Sequence, residues 1–401
     1  MRVAEVPEMS EVNSSAAESF SLTRGGPFHR ILVRLGRAGN ERRRVINRAL
    51  FATLVTWLPL LVLSLVQKVA YGSQVNIPFL HDFAVNARFL IALPIMILAE
   101  SGIDRKWRTL VLEFLRSGLV NEGELLSFGS VIEKTIRLRD RVFPEVAMIV
   151  AVYLSPIFLG KTELLMSGIS NWHTTAAGAM TYAGWWFRLV STPIFRFLLL
   201  RWFWRMFLWT TFLWRASRIN LFLVATHTDM AAGLGFLSEG QKAFSSIVFA
   251  GGVVMAGSIA NAIAYQDATL ASEKFPMIIY GVLAVIVLVV PLLVVAPVLL
   301  NTKKRALLEY GALVTKHNQL FQTKWVRQHY DPHDNLLGNP DASSLADLGT
   351  SFSVVRQMRL VPVTKPTLIT LALAAALPMV PVVVFATPTS ELLRVVMRML
   401  A

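Results

Sequence analysis

Three places in this chain hold residues whose types and spacing could do chemistry. The stretch THTDMAAGLGFL sets His227 and Asp229 two residues apart, ahead of Gly233 and Gly235. A histidine beside a carboxylate can move a proton, hold a metal or bind an anion. Two ligands are too few for a metal site, and no serine or cysteine nucleophile signature accompanies them. The glycines allow a tight turn, so a structural turn that caps the following helix is the favoured reading. A second place is WWFRLVSTPIFRFLLLRWFWRMFLWTTFLWRASR, with Arg196, Arg201, Arg205 and Arg215 inside or beside an apolar run. At about 100° per residue, Arg201, Arg205 and Arg215 fall within an arc of about 80°, while Arg196 points elsewhere. Such arginines could form an anion or headgroup pathway, paired in part with Glu100, because intramembrane charge is expensive to hold. The simpler reading is that they snorkel to headgroups, with Trp202, Trp204, Trp209 and Trp214 as an interfacial aromatic belt. The third place, QHYDPHDN, holds His329, Asp331, His333 and Asp334. Their loop context fixes no coordination geometry and predicts a solvated loop rather than a metal site. His81 and Asp82, followed by Arg88, read as a surface pair.

The elements that must position these residues are membrane helices. Met277–Leu300 is 24 residues without a charge, and about 20 apolar residues cross a bilayer core of roughly 30 Å. Seven segments qualify as spans: 49–67, 85–103, 143–160, 183–205, 243–265, 277–300 and 367–387. Six contain proline, which removes a backbone hydrogen bond and favours a kink. Span five carries Gly252, Ala256, Ala260 and Ala264 at four-residue spacing, the pattern of a closely packed helix face. Asn261 sits beside that face and needs a hydrogen-bond partner. Tight packing within one subunit is the favoured reading, with a homo-oligomer interface or a pore-lining Asn261 as the sharper alternative.

Composition agrees. Of 401 residues, 54% are hydrophobic and 16% are charged, against about 25% charged in a soluble domain. The net charge of +14 could point to nucleic acid, but the basic residues gather between apolar runs. There they orient the chain and meet anionic lipid headgroups, so the expected partner is the bilayer and not nucleic acid. With no cysteine, disulfides and thiolate chemistry are excluded. No pattern names a cofactor.

Nine arginines precede the first span, eight of them between residues 24 and 48, and the loops after spans two, four and six are rich in Lys and Arg. The loops after spans one, three and five offer chiefly Lys68, Lys161 and Lys274. Basic loops stay cytoplasmic, which predicts an N-terminus inside and a C-terminus outside. Arg394 and Arg398 run against that rule and make the last span the weakest. The organisation read from the chain is a cytoplasmic basic region over 1–48, whose first 23 residues are expected to be disordered. A transmembrane core over 49–301 follows, with a cytoplasmic helical insert at 104–142 broken near Gly123. A cytoplasmic segment fills 302–366, and the last span and tail occupy 367–401.

WLPLLVLSLVQ, FLHDFAVNARFLIALPIMILAE, FRFLLLRWFWR and HTDMAAGLGFL together resemble a group of uncharacterised bacterial inner-membrane proteins. The resemblance covers most of residues 50–300. The group's fingerprint reads His-Pro-Asp-x-Ala-Gly-Gly-Leu-Gly-Phe-Leu, where this chain has Thr228 for the proline and Ala232 for the first glycine. It implies a polytopic helical architecture and bacterial origin, and brings no activity with it.

The fold class expected is an all-α, seven-span bundle of a bacterial cytoplasmic membrane. The expected function is a channel or transporter for an ion or small solute, with an anionic solute as the narrower form. Its candidate residues are Glu100, Arg196, Arg201, Arg205, His227, Asp229 and Asn261. The alternatives are a membrane-embedded enzyme using His227 and Asp229, and a non-catalytic scaffold.

Overall fold

The computed structural model describes residues 17–26, 41–164, 171–175, 178–327 and 338–386. Among them regular structure is helical throughout, with isolated bridges in place of strands. His329, Asp331, His333 and Asp334, and the tail arginines Arg394 and Arg398, lie outside the described residues.

Five helices are long and apolar enough to cross a membrane. They are α1 (Glu41–Val66), α2 (Phe83–Arg116), α6 (Leu237–Tyr265), α7 (Leu270–Leu293) and α10 (Lys365–Ala386). Between α2 and α6 lie α3 (Leu125–Arg139), α4 (Val142–Leu164) and α5 (Thr192–Ala216). The last of these is led by a turn of helix at Tyr182–Trp186. After α7 come α8 (Ala296–Phe321) and α9 (Pro340–Gln357), which pack on each other.

Contacts fix the helix directions. Arg48 meets Glu100 while Trp57 bonds Asn86, so α1 and α2 are antiparallel. Ser155 on α4 takes a hydrogen bond from Arg196 and Leu189 accepts one from Tyr153, which holds these two segments side by side. A Cβ on Gly240 would touch Leu110 and one on Gly257 would touch Phe83, so α6 runs against α2. Tyr280 on α7 bonds the Val248 carbonyl. Gly252 faces Ala375 and Pro378, and Phe83 packs on Phe385. One end of the bundle, the basic end, therefore gathers the start of α1, the end of α2 and the start of α6. The opposite end is closed by residues 171–175, where Trp172 packs edge-on against Phe79 at 5.1 Å.

Prolines in these helices leave carbonyls without their usual donor, and neighbours supply replacements. Pro59 frees the Val55 carbonyl, which accepts from Trp186 Nε1 at 3.2 Å. Pro193 frees the Leu189 carbonyl, which accepts from the Tyr153 hydroxyl at 3.3 Å. Pro94 and Pro193 each follow a π-helical turn, Ala87–Ala92 and Phe187–Ser191. Such turns absorb local irregularity in an α-helix. Trp186→Phe is expected to lower stability by about 1–2 kcal/mol, the cost of a partly buried carbonyl left unmet. Thermal unfolding in detergent of Trp186→Phe beside the wild type measures it.

The small face of α6 is closely packed at Gly252 and Ala256, whereas Ala264, on the same stripe, is exposed. A Cβ on Gly257 would lie 2.7 Å from the Phe83 carbonyl, and one on Gly252 would lie 2.9 Å from Pro378. Val253 is buried as well, so the packed face is wider than the Gly/Ala stripe. Gly257→Ala should destabilise by about 1–3 kcal/mol through overpacking against backbone. Gly281→Ala on α7, where a Cβ meets open space, should not. Equal midpoints for the two variants would mean that α6 can move away from α2.

The N-terminal expectation needs correcting. Residues 17–23 are not loose: Ala17, Phe20 and Leu22 are buried in the main core. Asp104, fully buried on α2, accepts hydrogen bonds from the Ser21 hydroxyl at 2.7 Å and from the Leu22 and Thr23 N–H groups. Arg139 adds a bond to the Ser21 carbonyl and pairs with Asp140, which takes the Gly26 N–H. Phe20 meets Phe212 at 5.3 Å. Apolar burial offsets the entropy of ordering this short segment. Residues 104–116 continue α2, and the break before α3 falls at Ser117–Asn121 rather than near Gly123, with Gly118 at a φ of +72°.

Candidate functional site

Four helices bring charge together at the basic end. Arg205 on α5 donates Nη2 to Glu100 Oε1 at 2.7 Å, and Arg48 on α1 lies 3.6 Å from Glu100 Oε2. Arg201, one turn before Arg205, interacts electrostatically with Glu100 and with Glu145 at the start of α4. Three guanidinium groups thus face two carboxylates. Arg201 and Arg205 are 8% and 2% exposed, which shows that they do not snorkel. Glu100 is where the arginine spacing needed it; Arg48 and Glu145 look in sequence like ordinary loop-edge charges.

The tryptophan belt is likewise corrected. Trp202 and Trp209 are buried, while Trp214 is exposed and carries Arg218 over its ring. Arg205 sits 4.7 Å above the Trp202 ring, a cation–π contact strengthened by the burial of both side chains. Ring contacts then run from Trp202 to Phe244, from Phe244 to Trp107, and from Trp107 to a stacked Trp209 at 5.5 Å. Along this chain several buried donors find no acceptor among the described residues: Arg205 Nη1 and the indole N–H groups of Trp107, Trp202 and Trp209. Both amide atoms of Gln241, 1% exposed, are also without a partner. Buried polar groups are ordinarily paired; among these groups the unpaired donors outnumber the one unpaired acceptor, Gln241 Oε1.

The other predicted residues are separate from this cluster. Arg196 bonds the Ser155 hydroxyl at 2.9 Å and contributes no charge to the Glu100 group. Asn261 lies at the opposite end. Its amide donates to Asp82 at 2.8 Å and its oxygen accepts the Phe83 N–H at 2.8 Å. Asp82 is the residue most misread from sequence. It is buried, caps the first turn of α2 through the Val85 N–H, and takes the Trp172 indole at 2.9 Å. A position just before an apolar helical run is a local signal for such a cap. The Trp172 and Asn261 contacts, 90 and 179 residues away, have no local signal.

His227 and Asp229 form a turn. Asp229 Oδ1 accepts from the N–H groups of Ala231 at 2.8 Å and Gly233 at 3.2 Å, and Oδ2 accepts from Gly235 at 2.7 Å. His227 Nδ1 lies 2.9 Å from Oδ1. A carboxylate offers about four lone-pair sites, so its acceptor capacity is engaged. Burial raises the Asp229 pKa, but the donors of Ala231, Gly235, Gly233 and His227 outweigh it and hold the group below its ordinary 3.8. The turn needs left-handed backbone at Met230, Ala232 and Gly233, with φ of 53°, 53° and 93°. Ala232 is the position where the resembled fingerprint has glycine, the residue that adopts this conformation without cost. Arg359 clamps the turn, donating Nη2 to the Asp229 carbonyl and its backbone N–H to the Met230 carbonyl, both at 2.7 Å.

No protein-family model, curated protein or solved structure matches this chain. Among the described residues no group of three or more His, Cys, Asp or Glu side chains gathers where it could hold a metal ion.

Proposed function

We propose that this chain is a channel or transporter that passes a small anionic solute by way of Arg201 and Arg205. In this reading it spans a bacterial cytoplasmic membrane about seven times and belongs to the group that its HTDMAAGLGFL segment resembles. Its basic end faces the cytoplasm, with the N-terminus inside and the C-terminus outside. The observation that carries the reading is the buried guanidinium of Arg205, whose Nη1 has no acceptor in a region of unpartnered indole donors. A solute with several acceptor oxygens answers that imbalance, and the excess of arginine over carboxylate favours negative charge.

Seven spans follow from adding α4 and the α5 unit to the five apolar helices, which makes the direction of successive segments alternate. The arginines in α5 weigh against its apolarity, and their burial against Glu100 reduces that cost. The engaged lone pairs of Asp229 favour transport over an enzyme built on His227 and Asp229.

Lysine keeps the charge but loses the planar fork that grips an oxyanion twice. Arg201→Lys is therefore expected to reduce solute flux about tenfold or more while leaving the thermal midpoint near that of the wild type. Undiminished flux in the lysine variant would leave the arginines as structural anchors.

A further inference from the structure

A groove of about 630 Å³ lies between α2 and α6, apart from the Glu100 cluster. On α2 its lining runs from Ile95 through Leu98 and Ala99 to Arg105 and Lys106; on α6 it runs from Glu239 and Lys242 to Ser246. The ten helical steps from Ile95 to Arg105 cover roughly 15 Å of helix. Over that length the wall changes from apolar to basic, with Ile95 toward the interior of the span and Arg105 at the basic end. Lys242 and Lys106 share one carboxylate, Glu239. Arg105 is exposed and has no ion pair among the described residues.

We propose that this groove is a binding site for an anionic phospholipid. The phosphate sits among Arg105, Lys106 and Lys242, and the acyl chain follows Ile95, Leu98 and Ala99. A free phosphate would use the basic mouth alone and leave the apolar wall unexplained, whereas a lipid matches both halves. Basic pockets between membrane helices on the cytoplasmic side are a recurring way of holding such headgroups. Glu239 competes with the phosphate for the same lysines, so it limits affinity and can be removed to raise it. The inference needs the chain to lie in a membrane with α2 and α6 crossing it, and does not depend on what is transported.

The test is native mass spectrometry of the full chain in mild detergent, titrated with phosphatidylglycerol or phosphatidylcholine. The wild type should retain phosphatidylglycerol in preference. The double variant Arg105→Ala, Lys242→Ala should retain it about thirtyfold more weakly, from roughly one surface charge interaction lost per residue. Arg305→Ala, on α8, should behave as the wild type. Glu239→Gln should bind about fivefold more tightly, a gain that misfolding cannot imitate. Equal retention of the two lipids by the wild type, or unchanged affinity in both the double variant and Glu239→Gln, overturns the site. Displacement of phosphatidylglycerol by an equal concentration of inorganic phosphate also overturns it, in favour of a free-anion site. Loss of flux in the Arg201→Lys variant with this lipid selectivity intact separates the groove from the transport reading.

Discussion

Glu100→Ala is expected to destabilise the protein by about 3–5 kcal/mol, the largest effect of any single substitution considered. The pair it breaks is buried: Glu100 accepts from Arg205 at 2.7 Å and neighbours Arg48 at 3.6 Å. Removing one partner of a buried ion pair leaves the other charge without compensation, which costs far more than the intact pair contributes. Here the remaining charges are Arg205, Arg201 and Arg48, with Glu145 as the nearby carboxylate. Glu100→Gln should be milder, because the amide oxygen can still accept from Arg205 Nη2. Replacing Glu100 and Arg205 together by Gln and Met should recover much of the loss, since the pair then disappears as a unit. Thermal unfolding of these variants, the wild type and Arg205→Met alone in the same detergent decides it. An additive double variant would show that the two groups do not depend on each other.

Asp229→Ala comes next, with an expected loss of about 2–4 kcal/mol from three backbone donors left unmet. The effect should reach beyond the turn, because Arg359 ties the same residues to the segment before α10. The pH dependence follows from the lowered pKa of the carboxyl. A depressed folded pKa stabilises the native state in full above the ordinary value of 3.8 and loses that contribution as pH falls through the folded value. The wild type should therefore lose stability on acidification below about pH 4, and Asp229→Asn should show a shallower dependence there. Unfolding midpoints between pH 3 and 7 for both proteins supply the comparison. Parallel curves would mean that the carboxylate charge is not what the backbone donors recognise.

The helical class was legible because long apolar runs have few other uses, and the same runs gave the five apolar helices. Part of the close packing of α6 was legible too, since Gly252 and Ala256 repeat along one buried face, although Ala264 on the same repeat is exposed. The pairing of Glu100 with Arg205 was readable from the cost of lone intramembrane charge. The burial of Trp202 and Trp209 was not, because tryptophan serves both interfaces and cores and its type does not say which. Asp82 looked like a surface residue because its partners Trp172 and Asn261 are distant in sequence. The N-terminal segment was misread for a related reason. Phe20 and Leu22 sit among polar residues that lower local hydropathy, and the acceptor that orders them, Asp104, is more than 80 positions away. Composition near a residue reports its local preference; these contacts are tertiary.

The proposed role of Arg201 and Arg205 in passing an anionic solute across the membrane is open to direct measurement. It is tested most directly by flux into liposomes holding the purified full chain, across a panel of small anions and cations under an imposed gradient. The expected result is protein-dependent flux of at least one anion, little cation flux, and loss of the anion flux in the Arg201→Lys, Arg205→Lys double variant that still elutes as a folded species. Anion flux equal to that of empty liposomes, or a double lysine variant as active as the wild type, would contradict it.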